Sequence, residues 1–267
     1  MTSASPPLSD VIRIATQTLV EHLTPLATAA AVVVFPMTLW EGALPPPSLP
    51  TTPTPTAADL ARAARALSPW VLPAAVDAVA SFLMGAAVVW MLAEAMAGRA
   101  TGPWEGYRAV FGRLGKLVSA GLAQLLALAV VAVVLVLPGA LLGAGALLPV
   151  VVPLLLALSL VLSVYFALVT QVVMREDLGF VAALRRSARL VSGAFWPTLA
   201  LMLIGAVVTA LFGTLSGLPA AGGVTFVTRA LSELIAAAVS VTAGLYPAAL
   251  LTALYRARAA ERPLHAA

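Results

Sequence analysis

The chain has no cysteine, only two histidines, a single lysine among its basic residues, and few charges of either sign. Without cysteine it can form no disulfide and offers no thiolate as nucleophile or metal ligand. His22 and His265 stand one near each end, so a histidine-based zinc site is not expected and neither a metal nor a cofactor is implied. Charged residues are 10% and apolar residues 61% of the 267 positions, whereas a water-soluble domain is about a quarter charged and roughly half apolar. Eleven acidic and fifteen basic side chains cannot clothe the core that a chain of this length would bury in water. Lipid is the solvent that fits. The net charge of +4 does not indicate nucleic acid, because the basic residues form short clusters beside apolar runs, as in a membrane protein that orients itself. No P-loop, dinucleotide fingerprint, metal-ligand spacing or serine elbow is present. Fourteen arginines against one lysine, with abundant alanine, fit a GC-rich bacterial genome.

Crossing the hydrocarbon takes about 20 mostly apolar residues. Leu23 to Trp40 is uncharged, and Trp70 to Met96 is interrupted only by Asp77 and Glu94. Leu117 to Met174 runs 58 residues without a charge, too long for one span and right for two. Pro138, Gly139, Gly143, Gly145 and Pro149 mark its hairpin. Leu190 to Thr228 supplies a fifth span ending near Gly217, and Leu234 to Tyr255 a sixth. The expectation is an all-α, polytopic transmembrane bundle forming one membrane domain, with spans near 23–41, 70–96, 117–138, 150–174, 195–217 and 230–255. The first apolar run follows Glu21 and His22 rather than a basic leader, so a cleaved signal peptide is not expected.

Orientation follows from the basic residues. Arg99, Arg108, Arg113 and Lys116 lie between spans two and three; Arg175, Arg185, Arg186 and Arg189 between four and five; Arg256, Arg258 and Arg262 after six. With Arg13, twelve of the fifteen fall on one side, leaving Arg62, Arg65 and Arg229 on the other. The positive-inside rule puts the rich side, and both termini, in the cytoplasm of a bacterial plasma membrane. Residues 42–69 form a Pro/Thr-rich extracytoplasmic loop, extended through Pro45-Pro46-Pro47, with a short helix from Thr56 to about Ser68.

Three stretches read as helices lying on the membrane surface: 9–22, 104–116 and 177–192. In the last, Phe180, Val181, Leu184, Ala188 and Val191 share a face at helical spacing, while Arg185, Arg186, Arg189 and Ser192 point elsewhere. An apolar face in the acyl boundary with arginines at the headgroups is the logic of an interfacial helix. Residues 104–122 and 180–198 also align at an offset of 76, the pattern of an internal repeat.

The stretch Phe180-Val-Ala-Ala-Leu-Arg-Arg-Ser-Ala-Arg-Leu-Val-Ser-Gly-Ala-Phe-Trp196 resembles an element of a bacterial membrane-protein family. That family is labelled by likeness to the membrane domain of glycerophosphoryl diester phosphodiesterase. Its basic amphipathic helix, Arg-Ser pair and Gly-aromatic correspond to Arg186-Ser187, Gly193 and Phe195-Trp196. The resemblance covers about residues 8–258 and implies a membrane region only. The phosphodiesterase's catalytic barrel has no counterpart in the chain, so its activity is not carried over.

Asp77, two turns inside span two, is the sharpest polar candidate. A carboxylate at a helix centre costs about 2.5–3.5 kcal/mol to insert, so such a group faces a protein interior or a wet cavity. It would serve as a proton or cation site or substrate contact, or as a structural partner of Arg229. Glu233 follows Arg229 by one turn and can pair with it locally. Glu94 and Glu41 lie near span ends and need no special role. Arg185, Arg186, Arg189, Arg108, Arg113 and Lys116 suit anionic headgroups or a membrane-protein partner, each adding about 1 kcal/mol near a charged leaflet. Ser187 has no histidine or lysine near enough in sequence to activate it. Gly112, Gly115, Gly121, Gly139, Gly143 and Gly145 suit close helix packing, and the five tryptophans mostly fall at span ends. The functional expectation is a non-enzymatic membrane protein that organises a protein partner or lipid through its cytoplasmic amphipathic helices. The alternatives are a small transporter or permease subunit using Asp77, and a lipid-acting membrane enzyme.

Overall fold

The computed structural model describes the backbone of residues 7–43, 57–123, 148–216 and 226–261, with positions 126, 130 and 133 between them. Side chains are described for these except 41–43, 57–60, 64, 148–152, 212–216, 226–240 and 242–243. Among the described residues the chain is entirely helical, without a strand. The helices are α1 (Leu8–Glu21), α2 (Leu23–Ala43), α3 (Ala57–Ala95), α4 (Pro103–Phe111), α5 (Leu114–Ala123), α6 (Leu148–Phe166), α7 (Val169–Glu176), α8 (Phe180–Ser192), α9 (Phe195–Ser216) and α10 (Phe226–Glu261).

Among the described residues, three helical stretches are long and apolar enough to cross a membrane: Leu23–Trp40, Arg65–Ala95 and Pro153–Glu176. A fourth arises if α8 and α9, bent by 100° at Gly193-Ala194, are taken as one broken span. Much of the expected third span and its hairpin, 124–147, lies outside the described residues, as does the Pro-rich loop 44–56. The last helix is continuous for 36 residues and includes the expected sixth span.

The short helix expected to end near Ser68 does not end there. It continues into the span as one 39-residue helix containing Pro69 and Pro73. Proline at 69 has no N–H for the carbonyl of Arg65, and the Ser68 hydroxyl donates to that carbonyl at 2.8 Å instead. The hydroxyl replaces the missing donor, and the helix passes through.

Helices form over 8–21 and 180–192, close to the expected stretches, whereas the one expected over 104–116 breaks at Gly112-Arg113. Helix α4 begins with Gly102 and Pro103 at its first position, where a missing N–H costs nothing. Glu105 accepts from the Gly102 N–H at 3.2 Å. The Tyr107 hydroxyl then donates to the Ala29 carbonyl at 2.7 Å, tying α4 to α2, and burial pushes that phenol's pKa up. Helix α4 ends at Gly112-Arg113 and α8 at Gly193-Ala194. The two breaks are 81 residues apart rather than 76, so the structure does not follow the repeat as the sequence aligns it.

Two buried clusters hold the bundle together. One joins α1, α2, α3, α9 and α10 around Ala15, Leu26, Ala29, Leu92, Leu201 and Leu250. The other joins α3, α4, α5, α6, α7, α8 and α10 around Ala87, Val110, Leu117, Leu168, Val172 and Leu190. Helix α10 packs most extensively on α9, and the two come close at Gly205, where a Cβ would stand 2.9 Å from Pro247 Cβ and Cγ. Gly106 makes the comparable approach of α4 to Met91, at 3.0 Å. Among the glycines expected to permit close packing, Gly115 meets nothing within 4 Å, Gly112 meets only its own helix's backbone, and Gly121 touches the Phe82 ring at 3.4 Å.

Candidate functional site

The polar groups of the bundle converge at one place, the junction of α7 with α8. Arg175, Glu176 and Asp177 are consecutive, and each is fastened to a different part of the molecule. Arg175 donates through Nη1 to Glu94 on the last turn of α3, and Glu94 also accepts from Arg99 Nε. Glu176 takes both of its contacts from elsewhere: Arg186 Nε on α8 at 3.1 and 3.2 Å, and the Tyr255 hydroxyl on α10 at 3.0 Å. Asp177 closes α7 in the left-handed region, φ 53°, which aspartate tolerates better than most residues. Lys116 at the start of α5 donates to both its backbone carbonyl, at 2.8 Å, and its Oδ2, at 2.7 Å. Arg113 Nε lies 3.3 Å from Asp177 Oδ1 but makes no aligned hydrogen bond. The Lys116 ammonium holds the Asp177 carboxyl below the usual aspartate range.

Burial separates these contacts by weight. Arg186 is 4% exposed and Glu176 is its buried partner, so either charge alone would be stranded in a low-dielectric interior. Lys116 and Asp177 are exposed, where an ion pair contributes little. Ser187 is fully buried and donates at 2.7 Å to the Tyr165 carbonyl. That carbonyl lies where α6 stops and the turn before α7 interrupts the helical ladder, so Ser187 supplies a donor at the break. Near the end of α10, Arg258 reaches Glu261 at 3.0 Å and the Gly193 carbonyl at 3.5 Å, touching the bend between α8 and α9.

Helix α8 has three sectors rather than two. Ala183, Arg186, Ser187, Leu190 and Val191 face the protein. Arg185, Arg189 and Ser192 are exposed on the far side. Between them Phe180 and Val181 are exposed at 40% and 44%, with Leu184 and Ala188 partly covered. The buried sector is rotated by about 100° from the apolar face read from the sequence, at 100° per residue. Arg186, expected at the headgroups, is therefore an interior residue, because Glu176 and Tyr255 lie beneath it. Ser187 is interior with it.

The other expected positions separate. Arg108 is exposed on α4, Arg113 is half-buried, and Lys116 is exposed against Asp177. Asp77 is half-buried, accepts from Ser81 Oγ at 3.2 Å one turn on, and is flanked by exposed Val76 and Val79. The side chains of Arg229 and Glu233 lie outside the described residues, so their expected pairings with Asp77 and with each other do too. Sequence reasoning missed Glu94, Glu176 and Tyr255 as a cluster. The one signal was the run Arg175-Glu176-Asp177 closing a long uncharged stretch; nothing marks Tyr255. Among the described residues no three of His, Asp and Glu converge as a metal site. No family model matches the chain, and no curated protein or solved structure matches it either.

Proposed function

We propose that the chain is a six-span protein of the bacterial plasma membrane with cytoplasmic termini, acting without catalysis by holding anionic lipid against a rigid surface helix. One observation carries the lipid contact. Helix α8 is clamped to the bundle by Glu176, Tyr165 and its own buried face, yet leaves Phe180 and Val181 exposed beside Arg185 and Arg189. Apolar side chains at the acyl boundary with guanidinium groups at headgroup depth give such a helix affinity for an anionic leaflet. The exposed Trp196 at the start of α9 adds an interfacial anchor.

The topology has its own support. The ends of α3, α7 and α10, which close the second, fourth and sixth expected spans, meet in the cluster of Glu94, Arg175, Glu176 and Tyr255. That is the side assigned to the cytoplasm by charge. A hydrolytic reading lacks a comparable feature, since Glu176 and Asp177 are each held by separate cations. The resemblance of 180–196 to the phosphodiesterase membrane-domain family contributes the α8–α9 element and no activity.

The test is native mass spectrometry of the full chain from nanodiscs of mixed phosphatidylglycerol and phosphatidylcholine. Retained phosphatidylglycerol should fall about 30-fold in occupancy-derived affinity in the Arg185→Gln, Arg189→Gln double variant, at about 1 kcal/mol for each arginine. Equal retention by variant and wild type would sink the reading. For topology, single cysteines at Arg185 and Thr54 should be labelled from opposite sides by an impermeant reagent, the chain having no other cysteine.

A further inference from the structure

Helix α4 carries the same three sectors as α8. Gly106 and Val110 are buried against the bundle. Trp104 and Phe111, exposed at 74% and 57%, form an outward apolar strip, and Glu105 and Arg108 are exposed beside it. At 100° per residue the buried, apolar and polar sectors of α4 follow one another by about 130° and then about 80°. Those of α8 follow in the same rotational order, by about 110° and then about 90°. Two helices whose sectors turn the same way run in the same sense around the bundle they pack on. The fold also brings the end of α4 beside the start of α8. Lys116, in the first turn of α5, donates to Asp177, three residues before α8 begins. Tyr107 ties α4 to the Ala29 carbonyl of α2, and Arg258 near the end of α10 reaches the Gly193 carbonyl where α8 stops. The two helices form one arc around the end of the bundle where α3, α7 and α10 meet.

A helix with a protein side, an exposed apolar strip and a charged side is satisfied on all three at the boundary of acyl chains and headgroups. Tryptophan is favoured at that depth. The 100° bend at Gly193-Ala194 turns α8 across the direction of α9, as a helix in the interface plane must turn before one that spans. Helices of 9 and 13 residues are about 14 and 20 Å long and about 10 Å wide, so the arc occupies roughly 300 Å² of one leaflet. Among the described residues the other end of the bundle has no such helix, since α3 runs through Pro69 as one element. Area added to one leaflet alone is accommodated best where that leaflet is convex and its headgroups are spread, which makes interfacial helices sensitive to curvature. We propose that α4 and α8 form a one-leaflet collar that makes the chain favour membrane bowed toward the collared side. The collar rests on the lipid contact proposed for α8 and extends it to α4 and to the shape of the leaflet. With cytoplasmic termini, the favoured membrane bulges into the cytoplasm.

The test is the areal density of the full chain on tethered single vesicles of one phosphatidylglycerol and phosphatidylcholine composition and a range of diameters. A cysteine introduced as Ala260→Cys, at an exposed position near the end of α10, is labelled with an impermeant dye after reconstitution. Only chains with the collar on the outer, convex leaflet are then counted, the chain having no other cysteine. Density should rise several-fold from the widest vesicles to the narrowest. Trp104→Ser with Phe111→Ser should flatten the rise, whereas Trp104→Phe with Phe111→Leu, apolar at both places, should keep it. Val79→Ser, exposed on α3 outside the collar, should leave it intact. A flat wild-type profile would overturn the proposal, as would a rise that survives the serine double variant or one that Val79→Ser also abolishes. Phosphatidylglycerol retention, measured alongside, separates the two readings. A flat profile with retention still dependent on Arg185 and Arg189 ends the collar alone. Retention indifferent to those arginines ends the lipid contact of α8 on which the collar rests.

Discussion

Two carboxylates in this chain, Glu176 and Asp77, look alike in sequence, each next to or within a long apolar run, and are treated oppositely by the fold. Glu176 is buried and receives three hydrogen bonds from two other helices. Asp77 receives one from a serine on its own helix, and its neighbours Val76 and Val79 are exposed. The first carboxylate joins elements that are 10 and 79 residues away in the chain; among the described residues the second joins nothing beyond its own turn. Charge in an apolar bundle contributes to the fold only where several elements bring it partners, and elsewhere it is a cost that must have another use.

The largest effect should come from breaking the buried pair. Glu176→Gln leaves Arg186 charged and enclosed, with an expected loss of about 3–5 kcal/mol, read as a large drop in thermal stability in mild detergent. Replacing both partners, Glu176→Leu with Arg186→Met, should recover most of it. An unchanged melting temperature in the single variant would show that the pair holds nothing. Next is Gly205→Ala, whose Cβ would stand 2.9 Å from Pro247 and cost roughly 1–3 kcal/mol by overpacking. Gly115→Ala, with open space around it, should be neutral or gain up to about 1 kcal/mol from helix propensity. Equal behaviour of the two glycines would contradict the α9–α10 contact.

The exposed pair at Lys116 and Asp177 should show a smaller effect with a defined pH window. A carboxyl held below its usual value of 3.8 contributes stability above that value and loses it as the pH falls through the lower, folded one. Wild type and Lys116→Met should therefore differ by a constant small amount above about pH 5 and converge in more acidic solution. A gap that widens in acid would reverse the sign and refute the pairing. The smallest effect belongs to Asp77→Asn, expected to leave melting temperature and expression unchanged. If it destabilises as much as Glu176→Gln, the two carboxylates are not different after all. If it abolishes the flux of a small solute while stability holds, the transporter alternative gains over the lipid reading.

Helix existence was legible because apolar runs and start signals are local. Leu23–Trp40, the long apolar helix through Trp90, and the amphipathic helix at 180–192 lie where the apolar lengths and the 3.6-residue period put them. The orientation of α8 was not legible. Its apolar face and its buried face differ because a protein interior carrying a carboxylate lies on one side of the helix, while Phe180 and Val181 stay exposed on another. The spacing of apolar residues along the chain registers both at once and cannot separate them. The continuation of α3 through Pro69 was hidden for a similar reason, since Ser68 stands in for a donor that only the folded backbone shows to be missing.

What the sequence determined by itself was the apolar helices: with 61% apolar and 10% charged residues, runs of about 20 apolar residues give elements long enough to cross a membrane. Tertiary structure alone decided which charges are interior. Arg185 and Arg186 are adjacent and chemically identical, yet one faces outward and the other lies on Glu176. Neighbouring helical residues point about 100° apart, and only the packing of α7 and α10 beneath α8 settles which of the two meets a buried carboxylate.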